Sequence, residues 1–157
     1  MTETVILRAQ REDGPRIGEV FTASRRLMTY LPPLHTPQEE SDFICRSVVI
    51  EKTVYVAVID RRIVGLIAGE GAWIDYLYVH PDHIHCGVGT RLLSKVKSNT
   101  DELTLWTFQQ NIIACAFYEK QGFRAVEWTD GASNMERLPD VRYFWSKLNS
   151  PKTNSQT

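Results

Sequence analysis

The sequence predicts a single α/β domain whose central sheet has strands of mixed direction and helices on both faces. Strand-like and helix-like segments follow the order strand, two helices, three strands, helix, strand, helix, two strands. The stretch 73–93 passes from a strand through two glycines directly into a helix. The chain has 157 residues, which suits one domain with one core. We therefore expect a domain over 1–148 and a polar, disordered tail over 149–157.

The first strand is predicted at 4–9, and a helix follows it. Asp13 can cap this helix, and Pro15 suits its first turn, where a missing N–H costs nothing. Pro32 and Pro33 should end it. Its buried face is predicted from apolar residues at helical spacing: Ile17, Val20, Phe21, Leu27, Met28 and Leu31.

The second helix should begin at a capping box. Thr36 and Glu39 have the required spacing, with Pro37 at the first helical position. We expect this helix to bury Phe43, Ile44 and Val48.

The rest of the chain supplies six strands and two helices. The strands are predicted at 54–59, 63–69, 74–79, 103–107, 123–129 and 141–147. One helix follows the glycines of 73–93. The other should be capped by Asn111 and closed by Gly122.

Composition excludes several classes of function. A formal net charge of -1 gives no general attraction to nucleic acid or to anionic lipid, and no apolar run is long enough to span a bilayer. The three cysteines have no paired spacing, and the chain begins without a signal-peptide pattern. We therefore expect a cytoplasmic protein that has no disulfide framework and binds neither nucleic acid nor a membrane.

The glycine-containing turn has the chemistry of an anion site. Pro81 stops the strand, and Gly87 and Gly89 flank Val88 at the start of the next helix. Free backbone N–H groups and the helix dipole at such a turn suit a phosphate. A tight strand-to-helix turn without a ligand is the alternative interpretation.

Two motifs extend this observation. The first is Tyr78-Val79-x-Pro81, five residues, Gly87-Val88-Gly89 and a helix that opens T-R-L-L. The second is N-x-x-A-x-x-F-Y-x-K-x-G-F over 111–123. In this order and at this separation the two motifs resemble those of the GNAT superfamily of N-acetyltransferases. The detailed resemblance covers about 63–129, and the order of elements extends it over nearly the whole chain.

The resemblance implies the GNAT fold, with a mixed, mostly antiparallel sheet and a V-shaped splay between the strands 74–79 and 103–107. It also implies acetyl-CoA as cosubstrate. The pantetheine arm would enter the splay and pair with backbone groups of Leu77, Tyr78 and Val79. The Val79 N–H would polarise the thioester carbonyl.

The same resemblance assigns the remaining cofactor contacts. The diphosphate would lie on the N–H groups of Ile84, His85, Cys86, Gly87, Val88, Gly89 and Thr90. Asn111 would bond the cofactor arm, and Tyr118 would protonate the departing thiolate. A phenol suits this role because its pKa of about 10 exceeds that of a thiol, about 8.5. A buried structural tyrosine is the alternative for Tyr118.

The loop departs from the family pattern at three positions. Ile84 stands where the family usually has Gln or Arg, His85 where it often has Gly, and Cys86 where it often has Lys, Arg or a small polar residue. Backbone donors do not depend on side chains. The expected loss is one polar contact, worth on the order of 1–2 kcal/mol.

The acceptor site is less determined. Asp75 alternates in phase with Leu77 and Val79 and is the first candidate for a base, with Glu70 second. A solvated edge residue is the alternative for Asp75. Residues that could line an acceptor pocket are Tyr30, His35, Trp73, Trp106 and the loop around Glu136. The sequence does not name the amine, which could belong to a small molecule or a peptide.

Competing hypotheses use the same loop. His80, His83, His85 and Cys86 could form a zinc cluster, although the spacing matches no common zinc pattern, so no metal is expected. A reactive Cys86 is a further alternative. No Cys-His-Asp spacing supports a cysteine relay, so direct attack by the amine is favoured. A non-catalytic acyl-CoA sensor is the other class of function. The oligomeric state stays open, a homodimer included.

Overall fold

A seven-stranded sheet with helices on both faces forms the domain. The computed structural model describes residues 3–149. The strands are β1 (Val5–Arg8), β2 (Thr53–Ile59), β3 (Arg62–Glu70), β4 (Trp73–Val79), β5 (Glu102–Phe108), β6 (Arg124–Trp128) and β7 (Asp140–Ser146). The helices are α1 (Gly14–Arg25), α2 (Pro37–Phe43), α3 (Val49–Glu51), α4 (Val88–Lys97) and α5 (Ile112–Lys120). The predicted tail lies outside the described residues, apart from Asn149 at the end of a 3₁₀ turn.

The sheet has the order β1-β2-β3-β4-β5-β7-β6. Every neighbouring pair is antiparallel except β4 and β5, which are parallel. One face is covered by α4 and α5 around Leu92, Leu93 and Leu105, and the other by α1 and α2 around Ile17 and Ile44. The predicted fold class, with its mixed sheet and splay, is confirmed. Within residues 3–149 no helix is both long and apolar enough to cross a membrane.

The capping residues predicted from the sequence mark the starts of two helices correctly. The Thr36 hydroxyl accepts from the Glu39 N–H while the Glu39 carboxylate accepts from the Thr36 N–H, which completes the predicted capping box. The Asn111 side chain accepts from the Ala114 N–H and caps α5. Gly122 follows that helix with φ of 92°, in the left-handed region where glycine is free of the Cβ penalty.

The first helix is shorter than predicted. It ends at Arg25, and the next hydrogen bonds run from Leu27 to Ser24 and from Met28 to Arg25, which closes tight turns. These turns bring the ring of Tyr30 onto Phe108. Asp13 does not cap α1 with its side chain. Its carboxylate instead accepts from the Gln10 N–H, one 3₁₀ turn earlier.

The second helix contains a π-helical turn, Ile44–Val48, between α2 and α3. The Val49 N–H bonds the Ile44 carbonyl, five residues back, which rotates the helix relative to an ordinary 3.6-residue repeat. Ile44 and Val48 are buried as predicted, but Phe43 is 50% exposed, and its predicted burial is wrong. Phe43 precedes the π turn and lies about 100° around the helix from Ile44, so it points away from the face that Ile44 and Val48 bury.

Candidate active site where two strands diverge

The centre of the sheet opens into a wedge between β4 and β5. The two strands pair at a single register position, Trp73 with Thr104, and the Thr104 N–H bonds the Ala72 carbonyl at 2.8 Å. Beyond that point β4 continues through Val79 without a partner on this side. A parallel pair would otherwise bond along its whole length, so the exposed edge of β4 carries backbone groups that are free for a ligand.

The register of β4 on β3 shows which groups face the wedge. The His80 N–H donates to the Val64 carbonyl at 2.8 Å, and Tyr78 lies opposite Leu66 in the same ladder. Because hydrogen bonds alternate along an antiparallel pair, the N–H groups of Leu77 and Val79 point away from β3, into the wedge. The backbone groups of Tyr78 are directed toward β3, so its predicted backbone contact with a cofactor arm is not supported.

The loop after β4 forms a cradle of backbone donors, which we define as residues 84–90. Within residues 3–149 the N–H groups of this cradle have no hydrogen-bond acceptor. Gly87 has φ of 79° and stands at the N-terminus of α4, where a Cβ would meet no atom within 4 Å. Gly89 lies against the ring of Phe117, where a Cβ would be 3.4 Å from the nearest ring atom, an ordinary van der Waals contact. The cradle is therefore open to solvent at Gly87 and packed against α5 at Gly89.

The three departures from the family pattern leave the cradle backbone intact. His85 adopts φ of 65°, the left-handed conformation that glycine adopts most readily. Ile84 is 44% exposed, and its side chain offers no hydrogen bond to an anion. The Cys86 thiol is exposed and lies 3.7 Å from the Ile84 carbonyl. Backbone donation is thus retained, and a polar side-chain contact at 84 is absent.

Tyr118 lies on α5, on the face of the sheet that α4 and α5 cover. It is 7% exposed, and its ring contacts Phe117, Phe123 and Tyr143. Among the described residues its hydroxyl makes no hydrogen bond. Burial raises the pKa of Tyr118, and the neighbouring Tyr78 raises it further. The side chain of Tyr78 lies on the other face of the sheet, in the core beneath α1.

On the α1 face the wedge is bounded by polar and aromatic side chains. The Arg25 guanidinium stacks on Phe21, with 5.4 Å from its Cζ to the ring centroid, and its Nε lies 3.3 Å from the Glu40 carboxylate. Burial raises the pKa of Tyr78, and Arg25 partly opposes this. Burial also raises the pKa of Tyr30, whose buried hydroxyl has no hydrogen-bond partner among residues 3–149. Tyr30 and Tyr78 were named from the sequence, whereas Arg25 and Glu40 were missed because their proximity to the wedge is tertiary.

A cavity of about 450 Å³ opens beside these groups. Its walls come from the end of β5, the start of β7 and the loop 129–139. Trp106 and Glu136, both predicted to line an acceptor pocket, meet here, and Tyr30 packs 6.1 Å from the ring of Phe108 in the wall. The full lining is Trp106, Thr107, Phe108, Thr129, Ser133, Asn134, Glu136 and Asp140.

The predicted phase of Asp75 is wrong. A β-bulge shifts the register of β4 on β3 at this residue, with Tyr76 opposite Ala68 and Ile74 opposite Gly69. Ile74 therefore lies on the same face of the sheet as Leu77 and Val79, the face covered by α4 and α5. Asp75 points away from that face. The Asp75 carboxylate lies 2.8 Å from the Lys52 ammonium, an ion pair that raises the pKa of Lys52. Its role as a base remains a prediction, and this pairing does not support it.

Three other candidate residues lie apart from the wedge mouth. Trp73 and Glu70 line a separate cavity of about 370 Å³ at the opposite end of β4. The His35 Nδ1 lies 3.9 Å from the Glu39 carboxylate. The structure therefore does not join these three residues with Tyr30 in one pocket.

The histidine-rich loop does not assemble a metal site in the part of the chain that the structure describes. No three His, Cys, Asp or Glu side chains converge there in the geometry a metal ion requires. The His80 Nδ1 instead accepts from the Asp82 N–H at 3.1 Å and caps the 3₁₀ turn that leads into the cradle.

Comparison with known sequences agrees with this geometry. Residues 51–125 match the family model of the acetyltransferase (GNAT) domain. The chain is 37% identical over 122 residues to the peptidyl-lysine N-acetyltransferase YjaB of Escherichia coli (strain K12), covering 77% of this chain and 82% of that protein. It is 31% identical over 74 residues to the peptidyl-lysine N-acetyltransferase YiaC of the same strain, covering 45% of this chain and 51% of that protein.

Solved structures show the same architecture. The solution structure of apo YjaB from Escherichia coli matches with a TM-score of 0.77 at 28% identity, covering 91% of this chain and 97% of that chain. The PaiA N-acetyltransferase from Thermoplasma acidophilum, solved in complex with coenzyme A, matches with a TM-score of 0.71 at 18% identity. That match covers 92% of this chain and 99% of the PaiA chain, and at this identity it shows the fold alone.

Proposed function

The chain belongs to the GNAT superfamily of acetyl-CoA-dependent N-acetyltransferases, and from this premise we propose that it acetylates a primary amine of a small molecule or peptide. The amine attacks the thioester directly while both substrates are bound. The observation that carries this proposal is the open wedge, in which β4 and β5 pair only at Trp73 and Thr104. It provides the free strand edge that an amide-bearing pantetheine arm can pair with.

In this proposal the protein binds acetyl-CoA mainly through its backbone. The N–H groups of residues 84–90 receive the diphosphate at the N-terminus of α4, where the helix dipole favours negative charge. Leu77 and Val79 pair with the arm, and the Val79 N–H donates to the thioester oxygen as negative charge develops on it. Asn111 contributes through its amide NH₂, because its side-chain oxygen already accepts from Ala114.

Tyr118 acts as the acid in this scheme. The amine nitrogen forms a bond to the carbonyl carbon, the carbon–sulfur bond breaks, and the thiolate takes the phenolic proton. The amine gives up its own proton to a base or water, from which the phenol is restored. Burial keeps Tyr118 protonated at working pH, because it raises the pKa of the phenol.

A peptide amine is the acceptor that the relatives favour, since both named relatives are peptidyl-lysine N-acetyltransferases. The 450 Å³ cavity is open to solvent on the α1 face, which would admit a side chain from a larger molecule. A lysine ammonium has a pKa of about 10.4, so its deprotonation at pH 7 costs about 4–5 kcal/mol. A carboxylate near the acceptor would reduce that cost.

A thiol-release assay with acetyl-CoA and a panel of amines tests the proposal. The panel should contain lysine peptides with blocked N-termini, peptides with a free α-amine, polyamines and aminoglycosides. We expect turnover on at least one amine, with kcat lower by about 10²-fold in Tyr118→Phe and acetyl-CoA affinity retained. Binding of acetyl-CoA without turnover on any amine would instead support the non-catalytic sensor.

A further inference from the structure

Glu136 lies in the loop between β6 and β7, which forms one wall of the cavity. Its side chain lines this cavity together with Trp106 and Phe108 of β5, and its charge acts on Tyr78 of β4 and Arg25 of α1. The ring of Phe108 packs against Tyr30, in the segment that follows α1, so the cavity lies on the α1 side of the sheet. Glu136 is therefore on the side of the wedge from which an acceptor would enter.

Glu136 differs from the other carboxylates nearby because it has no partner of its own. Within residues 3–149 its carboxylate makes no hydrogen bond and no ion pair. Asp140, in the same cavity, is held by Thr129 and by the Asn134 amide at 3.2 Å. Glu40 is paired with Arg25. Glu136 is thus the carboxylate in this region that is free to bind a cation.

The walls beside Glu136 suit an aliphatic stem. Trp106 and Phe108 supply apolar ring surface, and Trp106 is 40% exposed. Tyr30 covers Phe108 from the loop after α1. Ser133 and Asn134 make the opposite rim polar. Aromatic walls with one carboxylate form the arrangement that recognises an ammonium on a chain of methylene groups.

We propose that Glu136 binds the acceptor ammonium and takes its proton, and that the acceptor is a lysine-type amine on a flexible aliphatic stem. This inference rests on the acetyltransferase activity proposed above. Glu136 first attracts the ammonium into the cavity. The proton then passes to the Glu136 carboxylate, directly or through one water, as the neutral amine reaches the thioester carbon.

The charges around Glu136 are compatible with both steps. The charge of Arg25 interacts with that of Glu136 and repels an ammonium, which favours the neutral amine near the thioester. Glu40 neutralises part of that charge at 3.3 Å and keeps the net repulsion small. Tyr78 stays neutral because burial raises its pKa, and Asp140 is occupied by its own hydrogen bonds.

The test compares Glu136→Gln with Glu127→Gln, which removes one negative charge from an exposed ion pair with Arg142. Values of kcat/KM are measured from about pH 7 to about pH 10 for a lysine peptide with a blocked N-terminus and for a lysine-free peptide with a free α-amine. We expect Glu136→Gln to lose about 10- to 100-fold on the lysine peptide near pH 7. The loss should shrink to within about threefold near pH 10, where the amine is largely neutral.

Three further results complete the test. Glu136→Asp should recover part of the activity, Glu127→Gln should match wild type, and acetyl-CoA affinity should be unchanged in both glutamine variants. A Glu136→Gln loss of the same size at every pH would indicate a structural effect and overturn the inference, as would wild-type activity near pH 7. In both cases the acetyltransferase activity itself would stand. A wild-type protein inactive on every amine would remove the proposed function first.

Discussion

The hydroxyl of Ser24, on α1, lies 2.9 Å from the carbonyl oxygen of Val79, the last residue of β4. The same hydroxyl lies 2.8 Å from the Val20 carbonyl, so its single proton is shared between a helix carbonyl and a strand carbonyl. Ser24 and Thr104 are the buried polar side chains of the described residues. Thr104 lies where the wedge begins, and Ser24 bonds β4 at its last residue. The Thr104 hydroxyl bonds the Tyr143 carbonyl of β7 and its N–H bonds the Ala72 carbonyl, so β4 is held at its start by the Thr104 backbone and at its end by Ser24.

Replacing Ser24 by alanine should therefore lower turnover more than it lowers acetyl-CoA affinity. The Val79 carbonyl would lose its donor, and the N–H of the same residue would be less well placed for the thioester oxygen. Because complete removal of an oxyanion donor costs about 10²- to 10³-fold, we expect a smaller loss in kcat, about tenfold. Stability should fall by about 1 kcal/mol. Steady-state kinetics and calorimetric titration with acetyl-CoA separate the two effects.

The matched control is Thr22→Ala. The Thr22 hydroxyl donates only to the Gly18 carbonyl on its own helix, at 2.9 Å, so this variant removes a comparable bond without touching β4. If both alanine variants lost kcat equally, the loss would come from α1 and not from the contact with Val79.

Sequence reasoning succeeded where a structure is determined by a few neighbouring residues. The capping box of Thr36 and Glu39 and the Asn111 cap each join residues three positions apart, so both are readable from the chain alone. The wedge is different, because no short stretch of sequence indicates that β4 and β5 diverge after a single pair of residues. It was predictable only through the resemblance of 78–90 and 111–123 to a known family.

The errors have a common cause, which is that side-chain phase depends on the neighbouring element. The bulge at Asp75 arises from the pairing of β4 with β3 and cannot be seen in the alternation of one strand. Phe43 and Ile44 are likewise adjacent helical positions, and packing against α1 buries Ile44 and leaves Phe43 exposed. Glu136 was expected in an acceptor pocket, but its meeting with Phe108 and Asp140 in one cavity is a tertiary relationship.

Substitution of Gly87 by glutamate should abolish binding of acetyl-CoA. Gly87 has φ of 79°, so any side chain there strains the backbone by about 1–2 kcal/mol, and glutamate adds negative charge in front of the donors of residues 84–90. Gly71→Glu is the matched control. Gly71 has φ of 59° and equally open surroundings, but lies in the β3–β4 turn, away from the cradle.

Calorimetric titration and thermal melts measure both effects for these glycine variants. We expect a similar loss of stability in the two variants, with binding lost only in Gly87→Glu. A folded Gly87→Glu protein that bound acetyl-CoA as tightly as Gly71→Glu would remove the diphosphate from this loop.

The buried tyrosines should make the protein sensitive to alkali, and Tyr118 provides the clearest test. Burial raises its pKa in the folded state above the ordinary value near 10. Below pH 10 the phenol is neutral in both states and contributes no pH dependence. Above about pH 10 the unfolded chain ionises first and binds fewer protons than the folded chain, so stability falls as pH rises.

The expected size follows from the linkage between ionisation and unfolding. Between about pH 8 and about pH 11, Tyr118 should account for a loss of about 1.4 kcal/mol, which Tyr118→Phe should not show. Urea unfolding at the two pH values measures this difference, and the measurement at lower pH serves as the internal reference. Equal alkaline losses in wild type and Tyr118→Phe would mean that the phenol ionises as easily in the folded protein as in the unfolded chain.

Ile84→Arg should strengthen binding of acetyl-CoA. Ile84 is exposed at the edge of the cradle and stands where the family usually has Gln or Arg, so a cation there can reach the diphosphate without disturbing the core. A charge-assisted hydrogen bond of about 1–2 kcal/mol would lower Kd by about 5- to 30-fold at low salt, and the gain should shrink as ionic strength rises. Ile50→Arg, on exposed α3, adds the same charge far from the cradle and should leave Kd unchanged. An equal gain in both variants would point to net charge, and no gain in Ile84→Arg would place the diphosphate beyond the reach of residue 84.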